Sequence, residues 1–149
     1  MRTPSELTSH LGYLLRQVSN PVSQSFARKL DAEGVSVAEW VLMRRLWDGA
    51  AAPSRLAEAM GFTRGAVTKL ADRLIARNLV LREADPQDGR AQTLALTADG
   101  RLLTPKLAAI ADRNDAECFG ALSDGDRRQL RQILAETIAR LALDVTPID

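Results

Sequence analysis

The sequence is poor in the residues from which metal centres, disulfides and catalytic sites are usually built. Its 149 residues include one cysteine, Cys118, and one histidine, His10. A single cysteine forms no internal disulfide, and one cysteine with one histidine falls short of the four ligands of a usual structural zinc site. The histidine belongs to no recognisable arrangement of nucleophile and carboxylate, and the sequence has no glycine-rich phosphate loop. We therefore expect no catalytic residues, no metal and no cofactor.

Long hydrophobic runs and an excess of one charge are also missing. No apolar stretch approaches the ~18 residues of a membrane span, and residues 1–10 lack the basic-then-apolar pattern of a secretion signal. The 20 basic and 19 acidic residues leave a net charge of +1, which excludes a histone-like polycation and, taken alone, argues against a nucleic-acid partner. With 46% hydrophobic residues, the chain is expected to form one cytoplasmic domain over residues 1–149, without a membrane partner.

Apolar residues recur at steps of three and four along most of the chain, and this period predicts a mainly α-helical protein. The pattern marks helices over 6–30, 37–47 and 53–60, and a fourth that Thr63 caps and that runs to about Arg77. Apolar residues from Leu102 on mark a long helix to about Phe119, and residues 123–126 cap a last helix. Pro21 lies inside the first and predicts a kink. Ser36 with Glu39 forms a capping box for the second, and Pro53 suits the first position of the third.

The apolar period changes after Asn78, which is expected to end a helix in the left-handed conformation. Residues 79–82 and 93–97 have the pattern of two short strands, and the turn-forming stretch 85–90 separates them. The predicted order is therefore four helices, a β-hairpin with a polar tip, and two further helices.

Residues 53–78 have the pattern of a helix-turn-helix, in which Gly61 and Thr63 separate a short helix from a second one. The exposed side of the second helix is expected to carry Arg64, Thr68, Lys69, Arg73 and Arg77. Residues 62–78 hold four basic residues and one acidic residue, a local charge of +3, so the rest of the chain carries −2. Gly65 costs a helix ~1 kcal/mol against Ala, so we interpret it as room for a closely approaching partner such as DNA. A solvated basic helix that binds nothing is the alternative.

The hairpin that follows has the character of the wing in a winged helix. Arg90 lies near its tip and is expected to enter the minor groove, where the negative potential favours arginine. Asp88 is expected to orient that guanidinium through a charge-assisted hydrogen bond. Taken alone, the stretch Asp-Pro-x-Asp-Gly is only a good turn sequence.

Several short motifs in the centre of the chain resemble those of the MarR family of bacterial transcription regulators. They are Leu56-Ala57, Gly61, Val67-Thr68, Asp72-Arg73-Leu74, Leu79-Val80-x-Arg82, Asp85-Pro86-x-Asp88-x-Arg90 and Leu96-Thr97-x-x-Gly100. The resemblance implies a mainly α fold with a small β-hairpin wing, divided into a winged helix-turn-helix lobe and an α-helical dimerisation region. The lobe would span 36–98, and the dimerisation region 6–33 and 101–145.

The resemblance also implies the function of a homodimeric repressor that binds a pseudo-palindromic operator in double-stranded DNA. Carried across by position, it assigns DNA contacts to Arg64, Gly65, Ala66, Thr68, Lys69 and Arg73 in the recognition helix and to Asp88 and Arg90 in the wing. The clustered charge adds Arg77 as a phosphate contact. Two positions depart from the family: Asn78 stands where glycine is usual, and Gly89 stands where a basic residue is common.

A small, aromatic or phenolic effector is a further implication of the resemblance, because ligand pockets of this family commonly open between the dimer helices and the lobe. The candidate lining residues are His10, Tyr13, Arg16, Trp40, Met43 and Arg44. An aromatic wall with a few polar groups suits such a ligand. Aromatic residues and methionines at helical spacing are also ordinary core residues, which is the alternative.

Cys118 has two interpretations, a redox sensor or a passive core residue. Its acidic neighbours Asp115 and Glu117 disfavour a reactive thiolate, and cysteine is often buried, so we expect a core residue. Two alternatives to a ligand-released repressor remain from the sequence, a winged-helix module that binds protein and an oxidation-gated regulator of the same fold.

Overall fold

The computed structural model describes residues 1–141, which form helices around one two-stranded antiparallel hairpin. The elements are α1 (Leu11–Asp31), α2 (Val37–Trp47), α3 (Pro53–Met60), α4 (Arg64–Ala76), β1 (Val80–Ala84), β2 (Gln92–Leu96), α5 (Ala98–Phe119) and α6 (Asp124–Arg140). This order confirms the predicted one. A 3-10 turn over Leu7–Ser9 replaces the first part of the helix predicted from residue 6. Residues 142–145 of the predicted dimerisation region lie outside the described residues.

Helix starts and stops follow the local signals in the sequence. The Ser36 side chain accepts from the Glu39 amide at 3.1 Å and the Glu39 carboxylate accepts from the Ser36 amide at 3.3 Å, a complete capping box. Pro53 is the first residue of α3. Asn78 has a φ of 59°, the left-handed conformation expected after α4.

The hydrophobic core lies in the lobe formed by α2, α3, α4, the hairpin and the first half of α5. Its fully buried side chains include Leu42, Met43, Leu46, Met60, Leu74, Leu94 and Leu107. Burial of each such side chain contributes about 1.5–3 kcal/mol. By contrast, α1 buries only Leu30, and α6 buries no residue within the described chain. The lobe is therefore a packed unit, whereas α1 and α6 leave their apolar stripes uncovered.

The hairpin pairs from Val80 opposite Leu96 to Ala84 opposite Gln92. A short bridge joins Ala51 to Leu94 on the other side of β2, with backbone hydrogen bonds of 2.9 and 3.0 Å. This bridge is not predictable from hydrophobic periodicity, because a single residue in extended conformation has no period. It anchors the hairpin to the connection between α2 and α3.

Gly100 marks the closest approach between α5 and the strand that begins the wing. A Cβ atom on Gly100 would overlap the carbonyl oxygen of Leu79. Thr97 sets this approach, since its side chain donates to the Asn78 carbonyl at 2.6 Å and its amide donates to the Leu79 carbonyl at 3.1 Å. The Thr-x-x-Gly motif thus packs the start of α5 on the root of the wing.

A polar network joins α1 to α5 behind the lobe. Lys29 Nζ donates to Ser25 Oγ at 2.8 Å and to Asn114 Oδ1 at 2.7 Å, and it pairs with the Glu117 carboxylate at 2.8 Å. Asn114 is buried and donates to the Val22 carbonyl at 3.2 Å. The bond from Lys29 and its positive charge lower the pKa of Glu117 below its ordinary value. These bonds fix the two helices in one register.

Candidate nucleic-acid interface

The two faces of α4 are cleanly separated by burial. Val67, Leu70, Ala71 and Leu74 are buried against the rest of the lobe. Arg64, Gly65, Thr68, Lys69 and Arg73 are all exposed, while Ala66 is half-buried at the boundary. Residues three and four apart share one face of a helix, so the exposed set forms one continuous surface over the first turns of α4. We call this set the basic face.

The charges of the basic face have no partner within the described chain. No ion pair or side-chain hydrogen bond to residues 1–141 holds the Arg64, Lys69 or Arg73 side chains. The acidic residue of the helix, Asp72, is instead paired with Arg82 of β1 at 2.5 Å. That pair joins α4 to the root of the wing. It also neutralises the one negative charge of α4, which would otherwise compete with an anionic ligand for the cations of the basic face. The motifs that contain Asp72 and Arg82 did not predict this pair, because the two residues lie on different elements.

Gly65 fills no packing requirement of this chain. It is the second residue of α4, after Thr63, whose side chain accepts from the Ala66 amide at 3.1 Å. A Cβ atom at Gly65 would meet only Thr63 Oγ1, at 3.9 Å, an ordinary contact. The glycine therefore leaves the surface of the first turn of α4 open to an approaching partner, as expected from the sequence.

The wing tip is organised by its acidic residues through the backbone. Asp85 Oδ1 accepts from the Gln87 amide at 2.9 Å, and Asp88 Oδ1 accepts from the Arg90 amide at 3.1 Å. The expected bond from the Arg90 guanidinium to Asp88 does not form among the described residues, and Asp88 Oδ1 accepts from the Arg90 backbone amide instead. No ion pair or side-chain hydrogen bond to the described residues holds the exposed Arg90 guanidinium.

Arg77 stands apart from the basic face. It is the C-cap of α4, thirteen positions after Arg64, which corresponds to about 20 Å along a helix. Its guanidinium donates to the Gly34 carbonyl at 2.5 Å and to the Glu33 carbonyl at 3.4 Å. The structure thus engages the Arg77 side chain with the turn between α1 and α2.

The six candidate effector residues are not brought together in this chain. Met43 is fully buried in the core of the lobe, and Trp40 is half-buried against that core, as the alternative interpretation held. Arg44 pairs with Asp48 at 3.2 Å and lines a small cavity of about 210 Å³. His10 and Tyr13 are exposed at the start of α1, where the His10 ring nitrogen lies 3.3 Å from the Leu7 carbonyl and the Tyr13 hydroxyl accepts from Gln17 at 3.4 Å.

An exposed apolar groove runs between α1, the end of α5 and α6. Its volume is about 930 Å³, and Arg16 lies at its side. Exposed apolar residues along its two walls include Leu11, Leu14, Leu15 and Val18 of α1 and Leu134 of α6. Cys118 also lines this groove and is exposed, so the expectation of a core residue was wrong for the single chain. The end of α5 has too few neighbours within the described residues to cover the thiol.

Within the described part of the chain, no helix is both long enough and apolar enough to cross a membrane. The same residues contain no group of three or more His, Cys, Asp or Glu side chains placed to hold a metal ion.

Comparison with known proteins points to one family. The sequence profile of the MarR family matches residues 35–91. NicR of Pseudomonas putida, named an HTH-type transcriptional repressor, is 26% identical over 137 residues, which cover 91% of this chain and 87% of NicR. The structure of BpsR of Bordetella bronchiseptica, described in terms of regulation of its DNA binding by 6-hydroxynicotinic acid, matches with a TM-score of 0.78 at 26% identity over 91% of this chain and 97% of BpsR. CouR of Rhodococcus jostii, solved with p-coumaroyl-CoA, matches with a TM-score of 0.77 at 27% identity over 88% of this chain and 93% of CouR.

Proposed function

Because this chain belongs to the MarR family of transcriptional regulators, we propose that it is a homodimeric, cytoplasmic repressor that a small aromatic ligand releases from its operator. In this proposal the lobe over 36–98 reads a pseudo-palindromic site in double-stranded DNA. The dimerisation region consists of residues 6–33 and of residues 101–141, the described part of the predicted range 101–145.

The basic face of α4 is the observation that carries the proposal. Three cations that make no ion pair or side-chain hydrogen bond with residues 1–141 lie on the exposed side of a helix whose other side is buried in the core. Asp72, the one acidic residue of that helix, is paired with Arg82. The major groove is ~12 Å wide and admits one helix, so an exposed glycine in the first turn favours close approach. A solvated surface helix needs neither the open glycine nor the sequestered acid.

The roles of individual residues follow from their positions. Arg64, Thr68 and Lys69 lie where a recognition helix faces base edges, with Gly65 and Ala66 allowing the approach. Thr68 Oγ1 donates to the Arg64 carbonyl at 2.9 Å, so it offers an oxygen lone pair to a base donor. We assign Arg73 to phosphate contacts and Arg90 to the minor groove, with Asp88 shaping the turn that presents it.

The apolar groove supports dimerisation. Leu11 and Leu134 line this groove, yet Leu11 is 77% exposed and Leu134 is 39% exposed in the single chain, so the groove forms part of a contiguous exposed apolar patch. A second copy placed symmetrically against α1, α5 and α6 covers these side chains. A two-fold dimer sets its two recognition helices ~34–36 Å apart, one turn of DNA.

The effector is proposed to be an aromatic acid or its thioester. The structural relatives BpsR and CouR are described with 6-hydroxynicotinic acid and p-coumaroyl-CoA, respectively. In this chain, His10, Tyr13, Arg16 and Arg44 supply polar and cationic groups outside the core. The ligand would bind more tightly to a conformation in which the spacing of the two lobes does not match DNA. Operator affinity then falls by as much as the ligand's binding free energies for the two conformations differ.

Selection of bound duplexes from a random pool tests the proposal. We expect an inverted repeat with half-sites about one helical turn apart and 1:1 binding of dimer to duplex. Lys69→Ala is expected to reduce affinity for the selected site. Lys106→Ala, at an exposed lysine of α5 outside the basic face and the wing, is expected to leave the affinity unchanged, with its dimeric state checked by size-exclusion chromatography. Failure to enrich any sequence, together with no salt-sensitive binding to duplex DNA, would refute the proposal and favour a protein-binding module.

A further inference from the structure

The C-terminal end of α4 is bonded to the turn that ends α1. The Arg77 guanidinium reaches across 43 positions of the sequence to the Gly34 carbonyl, at 2.5 Å, with a longer bond to the Glu33 carbonyl at 3.4 Å. Gly34 has a φ of +70°, and three guanidinium atoms lie 3.6–3.8 Å from the position of a Cβ on it. The left-handed turn therefore presents the Gly34 carbonyl to the arginine, while the guanidinium lies at ordinary contact distance from the position of a Cβ.

The same end of α4 is bonded on its other side to the start of α5. Asn78, in its left-handed conformation, donates through Nδ2 to Asp99 Oδ2 at 3.1 Å. Its carbonyl accepts from the Thr97 hydroxyl at 2.6 Å. The last turn of α4 is thus held between the end of α1 and the beginning of α5, the two helices that the Lys29 network also joins.

We propose that Arg77 is a positioning residue for DNA recognition: its bonds to the α1–α2 turn fix the direction of α4, and it contributes no phosphate contact. This inference rests on the proposed function of the basic face. It replaces the role that the clustered charge suggested for Arg77.

The geometry of the helix explains why a bond at one end matters at the other. Arg64 and Arg77 are separated by about 20 Å along the axis, so a tilt of ~5° about the C-terminal end moves the first turn by about 2 Å. A shift of that size removes hydrogen bonds to base edges, whose donor–acceptor distances vary by only a few tenths of an ångström. The same shift does not prevent phosphate contacts, because lysine and arginine side chains are long and mobile enough to compensate for it.

The two roles of Arg77 predict different salt dependences. A residue that binds a phosphate contributes about one unit to the slope of log affinity against log salt concentration. A positioning residue contributes none, but its loss lowers the preference for operator over random DNA. Lysine keeps the charge but lacks the planar fork that reaches two carbonyls.

The test compares Arg77→Ala, Arg77→Lys and Arg73→Ala by fluorescence anisotropy at several salt concentrations, on the selected operator and on a random duplex. We expect both Arg77 variants to bind the operator about tenfold more weakly, with the wild-type salt slope and unchanged affinity for random DNA. Arg73→Ala is expected to weaken binding to both duplexes and to reduce the slope by about one. Circular dichroism and a stoichiometric titration at the assay temperature establish the folded, active fraction of each variant.

Two results would overturn the inference. One is a slope reduced by about one in Arg77→Ala and restored in Arg77→Lys, which is the behaviour of a phosphate contact. The other is wild-type affinity and selectivity in folded Arg77→Ala, which would leave the bond to Gly34 without a role in recognition. Absence of operator binding by the wild type would instead refute the proposed function.

Discussion

Replacement of Gly65 by alanine separates the stability of the recognition helix from its ability to approach DNA. Gly65 is exposed, lies in the first turn of α4, and would place a Cβ atom 3.9 Å from Thr63 Oγ1 and near nothing else. Alanine therefore meets no steric obstacle in the free protein. In the proposed DNA complex, the same methyl group would occupy the space between α4 and the base edges.

The two effects have opposite signs and estimable sizes. Gly→Ala at a compatible helical position stabilises by about 0.4–1 kcal/mol, chiefly because the unfolded chain loses conformational freedom. For a domain of this size, that is a rise of about 1–4 °C in the unfolding midpoint. An extra methyl group in a filled interface costs ~1–3 kcal/mol, which is roughly a 5- to 150-fold loss of operator affinity.

Gly125 provides a matched control. It is the second residue of α6, just as Gly65 is of α4, and a Cβ atom there would meet only Ser123 Oγ, also at 3.9 Å. Both helices begin with a hydroxyl cap, since the Ser123 side chain accepts from the Asp126 amide at 3.1 Å. Gly125→Ala should stabilise the protein to a similar extent and leave operator affinity unchanged.

Thermal unfolding followed by circular dichroism and anisotropy titration of the operator measure both quantities on the same samples. A Gly65→Ala variant that is more stable and binds as tightly as the wild type would show that this turn does not come close to DNA. A Gly65→Ala variant that is less stable than Gly125→Ala would show that the chain itself requires the glycine.

Three further predictions concern the wing, the root of α5 and the α1–α5 network. Arg90→Ala should weaken operator binding and lower the salt slope while the unfolding midpoint stays constant; unchanged affinity and slope in the titration would remove Arg90 from the interface. Gly100→Ala should destabilise by about 1–3 kcal/mol in thermal unfolding, because its Cβ overlaps the Leu79 carbonyl, and a midpoint equal to the wild type's would contradict that packing. Since Lys29 lowers the pKa of folded Glu117, its contribution is complete above the pKa of the unfolded carboxyl and is lost as pH falls through the lower folded pKa. The stability difference between wild type and Glu117→Gln should therefore shrink on acidification, and a difference independent of pH would exclude this ion pair as its source.

Much of the fold was predictable because it is encoded locally. The capping box at Ser36 and Glu39, the proline at the start of α3 and the left-handed Asn78 each act within four residues, and each occurs as predicted. Element boundaries were less predictable at the ends, where the first helix begins at Leu11 after a separate 3-10 turn. Helix ends depend on competing short-range bonds of similar energy.

The candidate site was predictable in its composition and less so in its bonds. The apolar stripe of α4 fixed which residues face outward, so the basic face follows from the sequence period alone. The pairing of Asp72 with Arg82 and of Arg77 with Gly34 did not follow, because each joins elements separated along the chain. Burial was misjudged for Cys118 for a related reason: its exposure depends on which helices pack around the end of α5.

Short stretches of the chain are enough to place the helices and the hairpin, to identify the polar face of α4 and to show that Gly65 has no local purpose. These properties depend on periodicity, caps and conformational preference over a few neighbouring residues. Which charges remain available depends instead on contacts between elements that are distant along the chain. Arg64, Lys69 and Arg73 stay free of partners within the described chain, while Arg77 is engaged by the α1–α2 turn and Asp72 by the wing. The net charge of +1 gives no sign of this division, because a charge is neutralised by whatever the fold brings within a few ångströms of it.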